Sequence, residues 1–168
     1  VEHERVVDDE AVGTPDLPLP DPNHGVAQRL PRAILDEDPY PLKALIAYRF
    51  DPIMSIADTA LTKKALEKLD LIVAIEVNFS DTAWYADVIL PESTYLERTD
   101  SIQQANGLKP QMFLRKKVVE PRYNTREGAM ILKQIAERIG TGDYFPYQDM
   151  EALVRWQLEP TGFSLEDF

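Results

Sequence analysis

The sequence contains no cysteine, so it can form no disulfide, hold no iron–sulfur cluster and offer no thiol nucleophile. Its two histidines, His3 and His24, lie in an acidic stretch, and neither has a partner at ligand spacing. We therefore expect no histidine-based catalysis and no metal-binding residue in this sequence. It also lacks a run of about 18 apolar residues and a basic-then-apolar start, so we expect no direct membrane insertion and no signal peptide.

Glycine-rich phosphate loops are absent as well. The turn after the first predicted strand reads DPIMSIAD at residues 51–58, without the spacing of either common phosphate-binding motif. A free-standing NAD or ATP enzyme is therefore not expected. The formal net charge of −11 argues against a nucleic-acid partner.

The acidic residues are concentrated near the amino-terminal end. Residues 1–41 hold ten acids and three bases, whereas residues 42–168 hold nineteen and fifteen. Residues 1–25 are also proline-rich and have no apolar period, a composition typical of a solvated linker or of a strap over another surface. We expect no regular element there. Because the sequence starts at Val1 and not at a methionine, we also expect it to be a fragment of a longer chain.

The apolar pattern from residue 43 onward predicts an α/β fold. The segments KALIAYRF and LIVAIEV read as strands, and DTALTKKALEKLD between them reads as an amphipathic helix, which makes a βαβ unit. Near-continuous apolar runs in both strands indicate a parallel sheet covered on both faces. We expect a three-layer, Rossmann-like domain over residues 26–168 with a mostly parallel sheet.

Two further strands are predicted. Val88, Ile89 and Leu90 are the apolar run of a central, buried strand, which ends at Pro91. The segment MFLRKKVVEP, starting at Met112, is expected to pair along the sheet edge as a fourth strand.

Three helices are predicted outside the βαβ unit. Residues 26–36 have apolar residues at helical spacing, although Pro31 fits poorly in an interior turn. Residues 125–140 predict the second helix, with Thr125 as its cap and Gly140 as its stop. Residues 149–158 predict the third, and the closing SLEDF is typical of the capped start of another element.

Polar residues follow two of the predicted strands at the point where each strand ends. In a parallel sheet, ligands bind beyond the carboxyl ends of the strands, where an acid after the second strand holds a ribose hydroxyl or a pair of ring N–H donors. The ordinary alternative is a solvated loop, and chemistry alone leaves both open. The residues are Arg49, Asp51 and Pro52 after the first strand, and Glu76, Asn78, Ser80, Asp81 and Thr82 after the second.

Two long segments carry a family resemblance. LIVAIEVNFSDTAWYADVILPESTYLERTD, followed by FLRKKVVEPRYNTREGAMILKQIAERIG, resembles the later nucleotide-binding domain of the molybdenum bis(pyranopterin guanine dinucleotide) oxidoreductases, the dimethyl sulfoxide reductase family. DTAWYADVILPE with TYLER is most similar to the catalytic subunits of polysulfide and thiosulfate reductases. The resemblance covers roughly residues 26–168.

The resemblance implies that the strand-end residues bind the guanosine part of one molybdopterin guanine dinucleotide. Arg49, Asp51 and Pro52 match the first nucleotide-contacting loop, although the family more often has asparagine where Asp51 stands. An acceptor-only carboxylate cannot donate to a phosphate or guanine oxygen, which puts that contact in doubt. Glu76, Asn78, Ser80, Asp81 and Thr82 match the second and third loops. Asp87 either reaches the nucleotide or fixes a loop as a turn cap.

The resemblance also describes a parent protein. The parent would carry molybdenum bis(molybdopterin guanine dinucleotide) and an iron–sulfur cluster, with the cluster cysteines and the metal-ligating side chain in earlier parts of its chain. Molybdenum would transfer two electrons to a sulfur–sulfur or related bond in anaerobic respiration. The implied partners are the rest of the catalytic chain, an iron–sulfur electron-transfer subunit and a membrane anchor subunit, in a periplasmic or extracytoplasmic setting. We expect the fragment alone to be inactive.

Two alternatives stay open at this point. The domain could be a cofactor-free relative that serves as a structural or subunit-interaction module of a respiratory complex. Within the oxidoreductases, arsenate, tetrathionate and formate enzymes remain alternatives to sulfur-compound reductases, because substrate choice depends on residues around the metal. The polar strand-end loops favour a cofactor-binding domain, since a structural relative would have lost or packed them.

Overall fold

The computed structural model describes residues 26–168. The linker expected over residues 1–25, with His3 and His24, lies outside the described residues. The chain divides into two compact units, one ending at Ile89 and the other running from Leu90 to Phe168. Among the described residues, no helix has the length and apolar character needed to cross a bilayer.

The first unit contains the βαβ unit that the sequence predicts. A 3-10 turn (Ala27–Arg29) leads into α1 (Leu30–Asp36), and Pro31 lies in the first turn of that helix. A proline is tolerated there because the first turn has no intrahelical partner for its nitrogen, so the predicted helix forms without distortion. The remaining elements are β1 (Ala44–Tyr48), α2 (Pro52–Ser55), α3 (Thr59–Leu66), β2 (Leu71–Glu76) and a 3-10 turn (Thr82–Tyr85). The next strand, β3 (Val88–Pro91), begins in this unit and ends in the second.

The sheet has the strand order β1-β2-β3, and β1 and β2 are parallel, with Ala44 opposite Leu71 and Tyr48 opposite Ile75. Four consecutive residues of β2, from Ile72 to Ile75, are buried, so this strand is covered on both faces. Such burial requires a continuous apolar run, which is why the pattern predicted a parallel sheet correctly. On one face, Ile53 and Leu66 pack against Ile72 in a core cluster.

The central strand is β2, and not β3 as the sequence indicated. β3 has β2 as its neighbour at the end of the strand order, and its residues Val88 and Ile89 are 42% and 40% exposed. The prediction of a strand at Val88 is therefore confirmed, and the prediction that this strand is buried is wrong. An apolar run shows which residues can be buried. Whether they are buried depends on other parts of the protein packing against them.

The second unit contains a separate hairpin and two helices. β4 (Gln103–Ala105) and β5 (Gln111–Phe113) pair antiparallel as a two-stranded sheet of their own. Of the segment expected to form a fourth strand, only Met112 and Phe113 lie in a strand, and that strand does not join the main sheet, because its partner is the strand only a few residues earlier. The helices are α4 (Gly128–Arg138) and α5 (Met150–Leu158), and a capping box formed by Ser164 and Asp167 starts the final 3-10 turn.

The cap of α4 differs from the prediction. Thr125 does not cap this helix, because its hydroxyl hydrogen-bonds the Ser93 hydroxyl at 2.9 Å. Instead, the Glu92 carboxylate accepts a hydrogen bond from the Gly128 N–H at 3.2 Å, from 36 residues away. The predicted stop is confirmed, since Gly140 has φ +83°, a conformation that glycine adopts readily.

Candidate functional site

The loop after β1 begins with a residue in an unusual backbone conformation. Arg49 has φ +50°, which is uncommon for a residue with a side chain, and its N–H donates to the Ile75 carbonyl at 3.2 Å. This turn takes the chain out of β1 next to the end of β2. The Arg49 guanidinium lies over the Tyr48 ring, 4.9 Å from its centroid, and the side chain is exposed.

A hydrogen bond joins the two strand-end loops. The Thr82 hydroxyl donates to the Asp51 carboxylate at 2.5 Å and accepts from the Ile53 N–H at 3.4 Å. Asp51 also caps α2 by accepting from the Met54 N–H at 3.4 Å. Thr82 is fully buried and Asp51 is half-buried. Thr82 therefore positions Asp51 and does not face the solvent.

Glu76, at the end of β2, is held by a second hydroxyl. The Ser80 hydroxyl donates to the Glu76 carboxylate at 2.7 Å, and the Ser80 oxygen accepts from the Ala83 N–H at 3.1 Å. Partial burial raises the pKa of Glu76, the Ser80 hydrogen bond opposes this rise, and the Asp51 charge adds to it. Parallel pairing of β1 and β2 places the two carboxylates at the same edge of the sheet.

The structure does not bring all the predicted residues to this edge. Asn78 and Asp81 are exposed on the loop after β2, and Pro52 is buried at the start of α2. Asp87 lies at the other end of β2, where its carboxylate accepts from the Ile72 N–H at 2.7 Å. Ile72 and Glu76 are four residues apart in a strand, which is about 13 Å. This contact corresponds to the loop-fixing alternative for Asp87.

An exposed aromatic pair lies on the same loop and was missed by the sequence reasoning. The Phe79 and Trp84 rings are in edge-to-face contact, with centroids 4.9 Å apart and an interplanar angle of 77°. Their exposed fractions are 58% and 75%. The signal available in the sequence was TAWY, in which Trp84 and Tyr85 are adjacent. Two adjacent aromatic side chains in a short turn cannot both point inward.

The second unit contains a buried cluster of charges. The Arg98 guanidinium donates to the Asp100 carboxylate at 2.9 Å and to the Ser93 carbonyl at 2.5 Å, and lies 3.5 Å from the Glu92 carboxylate. Arg115 makes a further ion pair with Asp100. Glu92, Arg98 and Asp100 are 1%, 6% and 6% exposed. These charged groups satisfy one another and the α4 amino terminus, so they support the fold.

The chemistry of the strand-end loops in the first unit is that of a hydrogen-bond acceptor site. A carboxylate has about four acceptor positions, and the hydrogen bonds described above use only part of that capacity at Glu76 and Asp51. Among residues 26–168, no group of three or more histidine, cysteine or acidic side chains is arranged to hold a metal ion. The arrangement suits a ligand that brings N–H or O–H donors.

Comparison with known proteins adds a family context. Residues 29–138 match the family model described as molybdopterin oxidoreductase. The chain is 40% identical over 134 residues to the thiosulfate reductase molybdopterin-containing subunit of Salmonella typhimurium, covering 80% of this chain and 18% of that protein. It is 30% identical over 136 residues to acetylene hydratase of Syntrophotalea acetylenica, with coverage of 81% and 18%. An assimilatory nitrate reductase catalytic subunit of Bacillus subtilis is 32% identical over 148 residues, covering 88% of this chain and 20% of that protein.

A solved structure agrees with these relatives. Acetylene hydratase from Pelobacter acetylenicus superimposes with a TM-score of 0.73 at 27% sequence identity, covering 86% of this chain and 20% of that one. The α/β fold expected from the sequence is therefore confirmed. The chain spans about a fifth of the length of the relatives it matches.

Proposed function

The chain belongs to the molybdopterin oxidoreductase family, and from that premise we propose that it is a cofactor-binding domain of a molybdenum-dependent enzyme. In this proposal it holds the guanosine part of a molybdopterin guanine dinucleotide at the carboxyl ends of β1 and β2. The metal and the reacting groups would be held by other parts of the parent chain.

The observation that carries the proposal is the pair of hydroxyl-held carboxylates. Glu76 and Asp51 are fixed by Ser80 and Thr82, they belong to loops after neighbouring parallel strands, and both are half-buried. Guanine offers N1–H and N2–H₂ donors on one edge, and ribose offers hydroxyls. A carboxylate that accepts such donors away from bulk water discriminates strongly against ligands that lack them.

The other strand-end residues have supporting roles in this proposal. Arg49 supplies a positive charge beside Asp51, suited to the phosphates of a dinucleotide. Asn78 and Asp81 are exposed and free to reach a ligand at the loop surface. Pro52 starts α2 and Thr82 positions Asp51, so both shape the loops from within. Asp87 fixes the start of β2 and contributes to the site only through the fold.

For the parent, we propose reduction of a sulfur compound such as thiosulfate or polysulfide. The support is the 40% identity to a thiosulfate reductase subunit, the highest among the relatives reported above. A bound molybdenum centre would supply two-electron chemistry in such an enzyme. The iron–sulfur cluster, the electron-transfer subunit and the membrane anchor subunit implied by the resemblance belong to the same proposal.

The test is made in the full-length parent. Glu76→Ala and Asp51→Ala each remove one half-buried charged acceptor, which should weaken cofactor binding by roughly 1.5–3 kcal/mol, about tenfold to a hundredfold. The readout is the guanine and molybdenum content per polypeptide after purification. Glu120→Ala is the matched control, because Glu120 is an exposed acid that forms a surface salt bridge with Lys117. Full guanine content in both site variants would contradict the proposal.

A further inference from the structure

The rings of Phe79 and Trp84 pack against each other at the protein surface, where other aromatic side chains such as Tyr123 and Tyr144 are exposed to a similar degree. Both rings are more than half exposed, although aromatic rings carry large apolar areas that proteins normally cover. The neighbouring Tyr85 follows the normal rule, since it packs against the core cluster of Ile53, Leu66 and Ile72. In the same short turn, the Tyr85 ring thus packs against the core and the neighbouring Trp84 ring is exposed to solvent.

The turn that carries Trp84 is firmly anchored. Thr82 and Ala83, the two residues before Trp84, are 0% and 3% exposed. The Thr82 hydroxyl is bonded to Asp51, and the Ala83 N–H donates to the Ser80 hydroxyl. Trp84 is therefore a large exposed ring on a fixed backbone, which costs little conformational entropy when it contacts a ligand.

The same hydrogen bonds connect the loop that carries the pair to Glu76. Phe79 precedes Ser80 directly, and Trp84 follows Ala83 directly. The Ser80 hydroxyl links these two positions, because it donates to the Glu76 carboxylate and accepts from the Ala83 N–H. Each exposed ring is thus carried by a residue next to one that hydrogen-bonds through the Ser80 hydroxyl, and that hydroxyl also holds the Glu76 carboxylate. A flat ligand with N–H donors on one edge can use a ring and the carboxylate at once.

We propose that the Phe79–Trp84 pair is the stacking surface for a purine base whose donor edge binds Glu76. This inference rests on the proposed function and divides the recognition into two parts. Stacking on an aromatic ring is tolerant of base identity and contributes affinity for any purine. The preference for guanine comes from Glu76, because adenine lacks the N1–H and N2–H₂ donors.

The first experiment uses Trp84 as a reporter. The chain has two tryptophans, so Trp156→Phe leaves Trp84 as the only indole. That variant is titrated with GDP, ADP and ribose 5-phosphate, and the indole emission is recorded. The inference predicts saturable quenching by GDP and ADP and none by ribose 5-phosphate, because only a stacked base contacts the ring.

The second experiment separates stacking from edge recognition. Affinities for GDP and ADP are measured by calorimetry for the unmodified chain and for Trp84→Ala, Trp84→Phe and Glu76→Ala. Trp84→Ala should weaken both nucleotides roughly tenfold and keep their ratio, and Trp84→Phe should recover most of the loss. Glu76→Ala should lower the preference for GDP. Trp156→Ala is the control, because Trp156 is half-exposed beside another ring, that of Tyr147, in the second unit.

The outcomes distinguish the two claims. If GDP binds with a preference that depends on Glu76, but Trp84 is not quenched and Trp84→Ala binds normally, the stacking inference is wrong and the proposed function stands. If the unmodified chain shows no GDP preference, the proposed function fails and the inference fails with it. Quenching of Trp84 with an equal loss of both nucleotides in Trp84→Ala supports the inference.

Discussion

The two units of the chain place carboxylates in contrasting environments. In the first unit, Glu76 and Asp51 are half-buried and accept hydrogen bonds from the hydroxyls of Ser80 and Thr82. In the second unit, Glu92 and Asp100 are almost fully buried and are paired with the Arg98 guanidinium. The same chemical group thus has two environments: the hydroxyl-held carboxylates keep unused acceptor positions, which our proposal assigns to a ligand, whereas the arginine-paired ones support the fold.

This contrast separates binding from stability. A buried ion pair contributes little net free energy when it is intact, but removing one partner leaves an uncompensated buried charge. At Glu76, both the carboxylate and its Ser80 partner are half-buried, so the carboxylate can be replaced at small cost to folding, while a ligand that needs it would bind more weakly. Substitutions in the two regions should therefore affect different measurements.

The largest expected effect is on the charge cluster of the second unit. Arg98→Met should lower the free energy of unfolding by about 3–5 kcal/mol, because Glu92 and Asp100 each lose an ion-pair partner at a buried position, although Asp100 keeps Arg115. Arg98→Lys should show an intermediate loss, since one ammonium cannot make all the contacts of the guanidinium. Urea unfolding followed by far-UV circular dichroism measures both. Arg155→Met is the control, because Arg155 is exposed and pairs with Glu151 and Glu166. An equal loss of stability in this variant would show that burial of the Arg98 cluster is not the cause.

A smaller effect is expected at the link between the loops of the first unit. Thr82→Val keeps the shape of a buried side chain but removes the hydroxyl that serves Asp51 and the Ile53 N–H. We expect a loss of about 1–3 kcal/mol in the free energy of unfolding. Thr59→Val removes an exposed hydroxyl that donates to the Ile53 carbonyl at 3.3 Å, and should change stability much less. Equal urea midpoints for the two variants would show that the Asp51–Thr82 link does not hold the loop.

The smallest effect concerns the charge on Glu76. Its pKa is raised in the folded chain, chiefly by partial burial, so the neutral form favours folding and that stability is lost as pH rises through the raised pKa. Glu76→Gln is neutral at every pH. It should be slightly more stable than the unmodified chain at pH 7, and the difference should vanish below the ordinary glutamate pKa of 4.5. Unfolding midpoints across this pH range test the sign, and a difference independent of pH would exclude burial as its cause.

The fold was predictable where the cause is local. The helical period of DTALTKKALEKLD and the apolar runs on either side of it gave the βαβ unit, and parallel pairing places Arg49 and Glu76 at the same end of β1 and β2 without further information. Features that depend on distant residues were not predictable. The Glu92 cap of α4 comes from 36 residues away, and the partial exposure of β3 depends on what packs beside it.

The candidate site was also predictable only in part. Strand ends identified Asp51, Glu76, Ser80 and Thr82, but not that the two hydroxyls hold the two carboxylates, because a spacing along the chain does not give side-chain direction. Glu92 and Ser93, directly after Pro91, serve the fold, because the Glu92 carboxylate and the Ser93 carbonyl contact Arg98, six and five residues further along.

The central claim is that Glu76 serves a guanine ligand and not the fold. The most direct test measures GDP affinity and the urea unfolding midpoint on the same preparations of the unmodified chain and of Glu76→Ala. The account predicts that the variant binds GDP about tenfold to a hundredfold more weakly while its midpoint stays nearly unchanged. Unchanged GDP affinity, or a midpoint that falls as it does for Arg98→Met, would contradict it.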